Sequence, residues 1–236
     1  MKIGIAIVHF GEQKLLDDCL KSLEPIKDNN IEVWDGNQDN VGFTIGNNNI
    51  IKRLRCLGGF DWIWLLNNDT TVPKETLVSI EDKLKDIPSD VGIVGFQIRS
   101  MDNPDLIHHA GTGAPFPGGQ HKSGSVKLGQ FQKERTYEKW VTGASMLIRR
   151  GVFDKIGLLD ENMKFIGSDS DFCYRARAAG FKIIYEPSFI IYHKIGQSQK
   201  PDNDPVLKQM RSDMVYFQNK WMNGKLYYDL DNELLK

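Results

Sequence analysis

The stretch Phe165–Gly196, FIGSDSDFCYRARAAGFKIIYEPSFIIYHKIG, decides the fold because it sets out two acids, a helix, a strand and a histidine in that order. Asp169 and Asp171 come at the start of the predicted helix, and the apolar run after it ends on His193. Two interpretations are open at this point. The acids and the imidazole are either a helix cap and a surface residue, or a catalytic base and a metal ligand on adjacent elements.

Strand and helix patterns also alternate along the first hundred residues. The run IGIAIVHF, from Ile3 to Phe10, lacks a polar and apolar alternation and predicts a strand buried on both faces. Further strands are predicted at IEVWD, DWIWLLNND and VGIVGFQIR, and helices at EQKLLDDCLKSLEPI, GNNNIIKRLRCL and KETLVSIEDKLKDI. This order predicts an α/β fold with a mostly parallel central sheet flanked by helices, which binds ligands at the carboxyl ends of its strands.

The periodic pattern stops between Ser100 and Lys139, where glycine, proline, histidine and lysine dominate. A segment of this length without regular structure is usually functional, so we predict a mobile loop that closes over ligands. The histidines of this segment do not match a standard zinc spacing, and we expect no metal site there: His108, His109 and His121. A strand and a short helix follow, and the tail carries a last helix from Pro205.

The composition excludes several classes of protein. The chain has 236 residues and a formal net charge of -1, so it lacks the basic field that gathers nucleic acid. Its cysteines, Cys19, Cys56 and Cys173, form no CxxC pair and are expected to be reduced thiols of a cytosolic protein. No apolar run reaches the ~18 residues of a membrane span, and we expect a soluble chain that is compatible with work at the inner face of a membrane.

Two short stretches carry candidate chemistry. Asp69 ends the buried strand in LLNNDTTVP, where a carboxylate either holds a cation or forms an ordinary turn. The segment NVGFTIGNNN, Asn40–Asn49, places glycines and amides between a strand and a helix. It either lets the backbone approach a ligand closely or is an ordinary loop and helix start.

Together these stretches resemble the family 2 glycosyltransferases of the GT-A fold, in the non-processive branch with bacterial rhamnosyltransferases and galactofuranosyltransferases. The similarity covers the chain up to about Ser198 and rests on IAIVHFG, NVGFTIGNNN, LLNNDTTV and the long stretch that begins WVTGASMLIRRGVF. It implies a GT-A domain over 1–203, with a nucleotide-sugar half at 1–99 and an acceptor half at 100–203. Residues 204–236 are then a C-terminal helical appendage.

The resemblance implies an inverting hexosyltransferase or rhamnosyltransferase of polysaccharide biosynthesis. The donor would be a nucleotide diphosphate sugar, with UDP or dTDP favoured, and Asp69 and His193 would hold Mg²⁺ or Mn²⁺ against its diphosphate. Asp169 would take the proton from the acceptor hydroxyl as the general base. Asp171 is expected to cap the following helix.

The resemblance also implies binding residues on both sides of the reaction. The expected nucleotide contacts are His9, Asp35, Gly42, Asn47 and Asn68, and the expected acceptor contacts are Trp140, Thr142 and Gly143. Trp140 either stacks on a sugar ring or fills the core. Asp35 either recognises the nucleobase or belongs to a later strand of the family pattern.

The chain departs from the family at four places. The metal site Asn67-Asn68-Asp69 keeps a single carboxylate, and His9 stands where the family tends to have threonine. Ser168 replaces the first carboxylate of the acidic pair that ends on Asp169, and one strand and helix unit is missing between IEVWD and NVGF. The expected acceptor is a glycan or a lipid-linked saccharide, and the oligomeric state is left open. The alternatives are an inactive nucleotide-sugar or carbohydrate binding module and a nucleotidyltransferase, although HFGEQKLL lacks the glycine-rich basic loop that a nucleotidyltransferase needs.

Overall fold

The computed structural model describes residues 1–26, 30–37, 40–112, 116, 126–127, 134–194, 204–224 and 229–230. The strands in these residues are β1 Ile3–His9, β2 Asn30–Asp35, β3 Trp62–Asn67, β4 Thr70–Thr71, β5 Val91–Ser100, β6 Leu106–His109, β7 Val126–Lys127, β8 Thr136–Tyr137, β9 Ser145–Arg149 and β10 Lys182–His193. The α-helices are α1 Gln13–Ser22, α2 Gly42–Leu57, α3 Lys74–Lys85, α4 Arg150–Ile156, α5 Ser168–Ala178 and α6 Pro205–Phe217. A 3-10 turn at Glu24–Ile26 follows α1, and a π-helical turn at Gln218–Met222 follows α6.

The strands form one mixed, mostly parallel sheet with the order β2-β1-β3-β9-β5-β10-β4. β1 pairs in parallel with β2 and β3, and β5 pairs in parallel with β10. β9 runs antiparallel between β3 and β5. The carboxyl ends of the five parallel strands and the amino end of β9 therefore share one edge of the sheet, which we call the ligand edge.

Both faces of the sheet are covered by helices. On one face Ile3, Ile5 and Ile7 of β1 pack in a cluster with residues of α1 and α3. On the other face Ala6 joins a cluster with residues of α2, α4 and α5. Successive side chains of a strand point to opposite faces, so the side chains on both faces of β1 must be apolar, as its continuous apolar sequence predicted.

The predicted elements are present. The structure differs from the prediction at the start of α2 and in the segment after β5, and it agrees with the short connection that was expected between β2 and α2. α2 begins at Gly42, four residues before the predicted start, because Gly42 turns the chain with a φ of 85°. Six residues separate β2 from α2, which leaves no room for the strand and helix unit that the family has there. Part of the segment predicted as a structureless loop is folded, since β6 pairs with β5 and β8 pairs with β10.

The C-terminal tail packs on the body of the protein. Phe217 and Trp221 lie in a cluster with Met163, Tyr174 and Leu230. Its division from residues 1–203 stays a prediction. No helix within the described ranges combines the length and the apolar character that crossing a membrane requires.

Candidate active site

The ligand edge brings Asp69 and His193 together from positions 124 residues apart. Asp69 lies in the turn between β3 and β4, and the antiparallel pairing of β4 with β10 sets Thr70 opposite His193. The backbone N–H of Lys194 donates to the Asp69 carbonyl at 3.0 Å, which extends this pairing by one residue. His193 Nε2 is 3.0 Å from Asp69 Oδ1, and each side chain is 17% exposed.

The chemistry of this pair fits a divalent cation. Asp69 Oδ1 is buried and has no hydrogen-bond partner despite the nearby imidazole. A buried carboxylate oxygen without a donor is costly, and a cation would satisfy it. Nowhere in the described part of the chain do three or more His, Cys, Asp or Glu residues converge as a metal site. The protein would thus supply two ligands and leave the remaining positions to other oxygen donors.

Asp169 faces the same edge from the first turn of α5. Its Oδ2 accepts a hydrogen bond from the backbone N–H of Gly143 at 2.8 Å, and its Oδ1 accepts one from the Ser170 N–H at 2.8 Å. A Cβ on Gly143 would come within 2.5 Å of the Phe43 ring and 3.2 Å of Asp169 Cβ. Glycine at 143 therefore allows the carboxylate to approach the backbone before β9.

Asp171 does not cap α5, contrary to the prediction. Its carboxylate is fully buried and accepts hydrogen bonds from Arg175 Nε at 2.7 Å and from Trp221 Nε1 at 2.8 Å. Lys220 Nζ lies 2.7 Å from its Oδ1. The side chain points away from the helix start, because two cations and an indole N–H compensate its charge in the interior.

Two adjoining cavities open at the ligand edge, and we name them donor-side and acceptor-side after the roles proposed for them below. The donor-side cavity, about 330 Å³, lies between the ends of β1 and β3, the start of α2 and the helix α6. The acceptor-side cavity, about 260 Å³, contains Asp169 and His193 among its lining residues. Asn67, Phe43 and Phe165 line both, so the two spaces meet at these side chains.

The predicted nucleotide residues divide into two groups. Gly42 and Asn68 line the donor-side cavity. Gly42 cannot carry a side chain, because a Cβ there would meet the Lys164 carbonyl at 2.6 Å. His9 is buried and does not line this cavity, but its Nδ1 is 3.1 Å from the Asn68 side-chain amide and its Nε2 is 2.8 Å from that of Asn37.

The other two predicted nucleotide residues lie elsewhere. Asp35 ends the edge strand β2 beside His9, and its Oδ1 accepts a hydrogen bond from the Asn37 N–H at 2.9 Å. Asn47 is buried in α2 and donates to the Phe43 carbonyl one turn earlier at 2.9 Å. Neither residue is among those that line the donor-side cavity.

The predicted acceptor residues Trp140, Thr142 and Gly143 all line the acceptor-side cavity. Trp140 is only 3% exposed, and its ring meets the edge of Phe116 at a centroid distance of 5.2 Å. It therefore fills the core behind the cavity and presents little of its surface to a ligand. Of the three histidines in the glycine-rich segment, His109 is buried, and His121 lies outside the described residues, as does much of the predicted closing loop.

Several residues of the site were missed by the sequence analysis. Phe10 directly follows β1, is 46% exposed and lines the donor-side cavity. An aromatic residue directly after a buried strand was the available signal. Thr44 was also missed: its hydroxyl lies 2.7 Å from the Oγ of Ser168, the residue noted above as a departure from the family, and it donates to the Met163 carbonyl. Val206 and Met210 of α6 form a wall of the donor-side cavity, and no local pattern marks them.

The model of the glycosyltransferase-like family 2 matches residues 5–214 of the chain. The chain belongs to this family. The match covers the sheet, both cavities and most of α6. It accounts for the order of the motifs along the sequence, and it supports sugar transfer as the general activity of this fold.

Curated relatives are distant. The chain is 22% identical over 218 residues to the N-acetylglucosaminyl-diphospho-decaprenol L-rhamnosyltransferase of Mycobacterium tuberculosis, covering 83% of this chain and 70% of that protein. It is 28% identical over 169 residues to the uncharacterized protein y4gI of Sinorhizobium fredii, covering 66% of this chain. The matched part spans only 18% of the length of y4gI.

Solved structures share the GT-A fold. The crystal structure of GalNAc-T7 with UDP, GalNAc and Mn²⁺ superposes with a TM-score of 0.65 at 15% identity, covering 94% of this chain and 49% of that one. At this identity the similarity establishes the architecture. The fold is the mostly parallel α/β sheet with flanking helices that the sequence predicted.

Proposed function

We propose that this member of the family is an inverting glycosyltransferase that moves a sugar from a nucleotide diphosphate sugar to a hydroxyl of a glycan or lipid-linked saccharide. One observation carries the proposal. Asp169 and His193 both line the acceptor-side cavity. Asp69, 3.0 Å from His193, lines the adjoining donor-side cavity of about 330 Å³. A cation ligand and a base thus face the same small volume, as sugar transfer requires.

The donor-side cavity supports a metal-assisted leaving group. The charged side chains that line it within the described residues are Glu12 and Asp69, both acidic, and no Lys or Arg joins them. A diphosphate would be repelled there unless a cation intervened. Asp69 and His193 would hold Mg²⁺ or Mn²⁺, which supplies positive charge to the departing diphosphate.

Asp169 would act as the general base. As the acceptor oxygen forms its bond to the anomeric carbon, the bond from that carbon to the diphosphate oxygen breaks on the opposite face, and the hydroxyl proton moves to Asp169. The Gly143 N–H donates to Asp169 Oδ2 at 2.8 Å and so fixes the orientation of the carboxylate. Attack opposite to the leaving group inverts the anomeric configuration.

The nucleotide would lie along the end of β1. Phe10 is exposed in the donor-side cavity and offers a face on which a nucleobase can stack. Gly42 and Asn68 lie where a ribose and a diphosphate would pass, with the buried His9 supporting Asn68 from below. UDP or dTDP is the favoured carrier, and a hexose or rhamnose is the favoured sugar.

The acceptor and the cellular place follow from relatives by analogy. The mycobacterial relative is named for a lipid diphosphate acceptor. We therefore favour a lipid-linked saccharide, reached at the cytoplasmic face of a membrane, as part of polysaccharide biosynthesis. Within this scheme residues 1–99 carry the donor side, residues 100–203 the acceptor side and residues 204–236 the tail.

A binding module without turnover is the second candidate. Ser168 favours it, because the first acid of the family pair is replaced by a hydroxyl that hydrogen-bonds with Thr44 and does not face a substrate. A module that only binds has no use for a base at Asp169. The two functions differ in one measurable respect, the release of free nucleotide in the presence of acceptor.

Calorimetry and a transfer assay test the proposal with the protein and with Asp69→Ala. UDP and dTDP are titrated with Mn²⁺ and with EDTA, and we expect binding only, or much more tightly, with Mn²⁺. Asp69→Ala should lose this metal dependence and keep a cooperative thermal transition, because Asp69 lies in a turn. Asp82→Ala, which removes an exposed acid of α3, serves as the control and should bind like the unchanged protein. Equal affinity with Mn²⁺ and EDTA would contradict the metal assignment.

A further inference from the structure

The segment 164–167 is a wall of both cavities and leads directly into α5. Phe165 lines both cavities, and Ile166 and Gly167 line the acceptor-side cavity. The segment is neither helix nor strand, so its backbone N–H groups need hydrogen-bond acceptors from other parts of the chain. Its position, and with it the start of the helix that carries Asp169, depends on those distant contacts.

Asp213 of α6 provides the acceptors. Its Oδ2 accepts hydrogen bonds from the N–H groups of Phe165 at 2.8 Å and Ile166 at 3.2 Å. Its Oδ1 accepts one from Gln209 Nε2 at 2.8 Å, and the side chain is fully buried. Burying a carboxylate is costly unless donors surround it, so this residue is suited to holding two backbone donors at once.

The wall is also fixed from its other side. The Lys164 carbonyl accepts a hydrogen bond from the Thr44 N–H at 3.0 Å, which ties the segment to the start of α2. Gly167 turns the chain with a φ of 83°, and α5 begins at the next residue. Asp169 lies in the first turn of α5, two residues after Gly167. A displacement of segment 164–167 would therefore also displace the Asp169 carboxylate.

We propose that Asp213 is a positioning residue for the sugar transfer, an inference that rests on the function proposed above. By holding the Phe165 and Ile166 N–H groups, Asp213 keeps Asp169 against the Gly143 N–H and aimed into the acceptor-side cavity. The side chain does not touch a substrate. It acts through the wall, and it links α6 to the geometry of the reacting groups.

The experiment compares Asp213→Ala with Asp213→Asn. The alanine variant loses both hydrogen bonds to the wall. A misplacement near 1 Å costs up to about 10²-fold in rate, so we expect its kcat to fall by ~10- to 10²-fold. Its affinity for UDP with Mn²⁺ should stay within a few-fold, since Asp69 and His193 are held by the sheet. The asparagine variant retains an oxygen for the wall and should keep most of the kcat.

A matched control separates positioning from general loss of helix stability. Asp204 Oδ1 accepts the Val206 N–H at 2.7 Å and caps the same helix. Asp204→Ala should lower the melting temperature without the fall in kcat. An unchanged kcat in Asp213→Ala, an equal fall in Asp213→Asn, or an equal fall in Asp204→Ala would each overturn the proposal. If Asp213→Ala does not fold, Gln209→Ala is used instead, because it removes one hydrogen-bond donor to the Asp213 carboxylate. A lower kcat with unchanged affinity for UDP and Mn²⁺ would support the proposal, and an unchanged kcat would overturn it.

Hydrogen exchange distinguishes failure of this inference from failure of the proposed function. The amides of Phe165 and Ile166 should be protected in the unchanged protein and exchange faster in Asp213→Ala. If the unchanged protein transfers no sugar from any donor, the proposed function is lost. Protection that persists in Asp213→Ala would overturn the positioning role independently of any activity.

Discussion

The two halves of the candidate active site are held in position by different means. Asp69 and His193 meet because the pairing of β4 with β10 fixes the register of two strand ends. Asp169 is placed by the start of α5, whose surroundings include Asp213 and Trp221 of the C-terminal tail. The proposed cation ligands thus depend on backbone pairing, which tolerates side-chain changes, whereas the proposed base depends on a few buried side-chain hydrogen bonds.

The largest expected effect comes from Asp169→Asn, which tests whether the two halves act separately. The amide can still accept a hydrogen bond from the Gly143 N–H but cannot take a proton, so transfer should fall by ~10²–10⁴. Binding of UDP with Mn²⁺ should change little, because the ligands lie on the sheet. Single-turnover transfer and calorimetry measure the two quantities.

Asp171→Asn is the matched control for that variant, two residues along α5. It removes the charge that Arg175 and Lys220 compensate, so it should lower the melting temperature and affect transfer much less. Transfer by Asp169→Asn within a few-fold of the unchanged protein would remove the base from the proposal. The binding-module alternative would then be the better account.

A pair of tryptophan variants gives an intermediate effect and compares the regions directly. Trp64 Nε1 donates to Ser145 Oγ at 2.9 Å inside the sheet, and Trp221 Nε1 donates to Asp171 at 2.8 Å. Replacing either by phenylalanine removes one hydrogen bond to a buried acceptor, which costs about 1–3 kcal/mol of unfolding free energy. Asp171 keeps its contacts with Arg175 and Lys220 in the Trp221 variant. We expect Trp221→Phe to lower kcat as well and Trp64→Phe to leave it unchanged.

Urea unfolding and steady-state kinetics on the two variants provide the measurement. A similar loss of kcat in both would show that general stability controls the site. No loss of kcat in either would show that the tail does not influence the base.

The smallest expected effect is the pH dependence of the tail contact. Burial opposes the charge of Lys220, but hydrogen bonds with Asp160 and Asp171 outweigh it and raise the Lys220 pKa above 10.5. Burial likewise opposes the charge of Asp160, but hydrogen bonds from Lys220 and Asn162 keep its pKa below 3.8.

The directions of these two pKa shifts define the pH range in which the contact stabilises the folded protein. A raised lysine pKa stabilises the folded state below pH 10.5, and this is lost as the pH rises through the folded value. A lowered aspartate pKa stabilises it above pH 3.8, and this is lost as the pH falls through the folded value. Lys220→Met should therefore be less stable than the unchanged protein between these limits, and the difference should shrink outside them.

Melting temperatures across pH measure this difference. Lys14→Met, which removes the exposed contact with Asp18, is the control and should show no measurable change. A constant difference between Lys220→Met and the unchanged protein at every pH would assign the effect to packing rather than to charge.

The sequence predicted those parts of the site that follow from strand ends. A buried run that stops on a polar residue predicts its place at the ligand edge, and this applies to Asp69 and His193. The sheet, its helices and the family were predicted for the same reason, since apolar periodicity and motif order are local signals. Gly42 was predicted as a nucleotide contact by resemblance, whereas its role in turning the chain into α2 became visible only in the structure.

The sequence did not predict contacts between distant side chains. Asp171 has the spacing of a helix cap, but its partners Lys220 and Trp221 lie about fifty residues further along the chain. Asp213 is a single acid in an amphipathic helix, and nothing in its neighbourhood marks it as buried. Such residues are placed by the packing of whole elements, which a periodic pattern does not encode.

The pairing of β4 with β10 also determines when this site can exist during synthesis. β1, β2 and β3 leave the ribosome first and can associate early, since domains begin to fold from the amino terminus. Asp169 and His193 emerge 100 and 124 residues after Asp69, and Asp213 emerges later still. A nascent chain would therefore lack the proposed cation ligand pair until β10 has emerged, and it would lack the anchor of the proposed base until α6 has emerged.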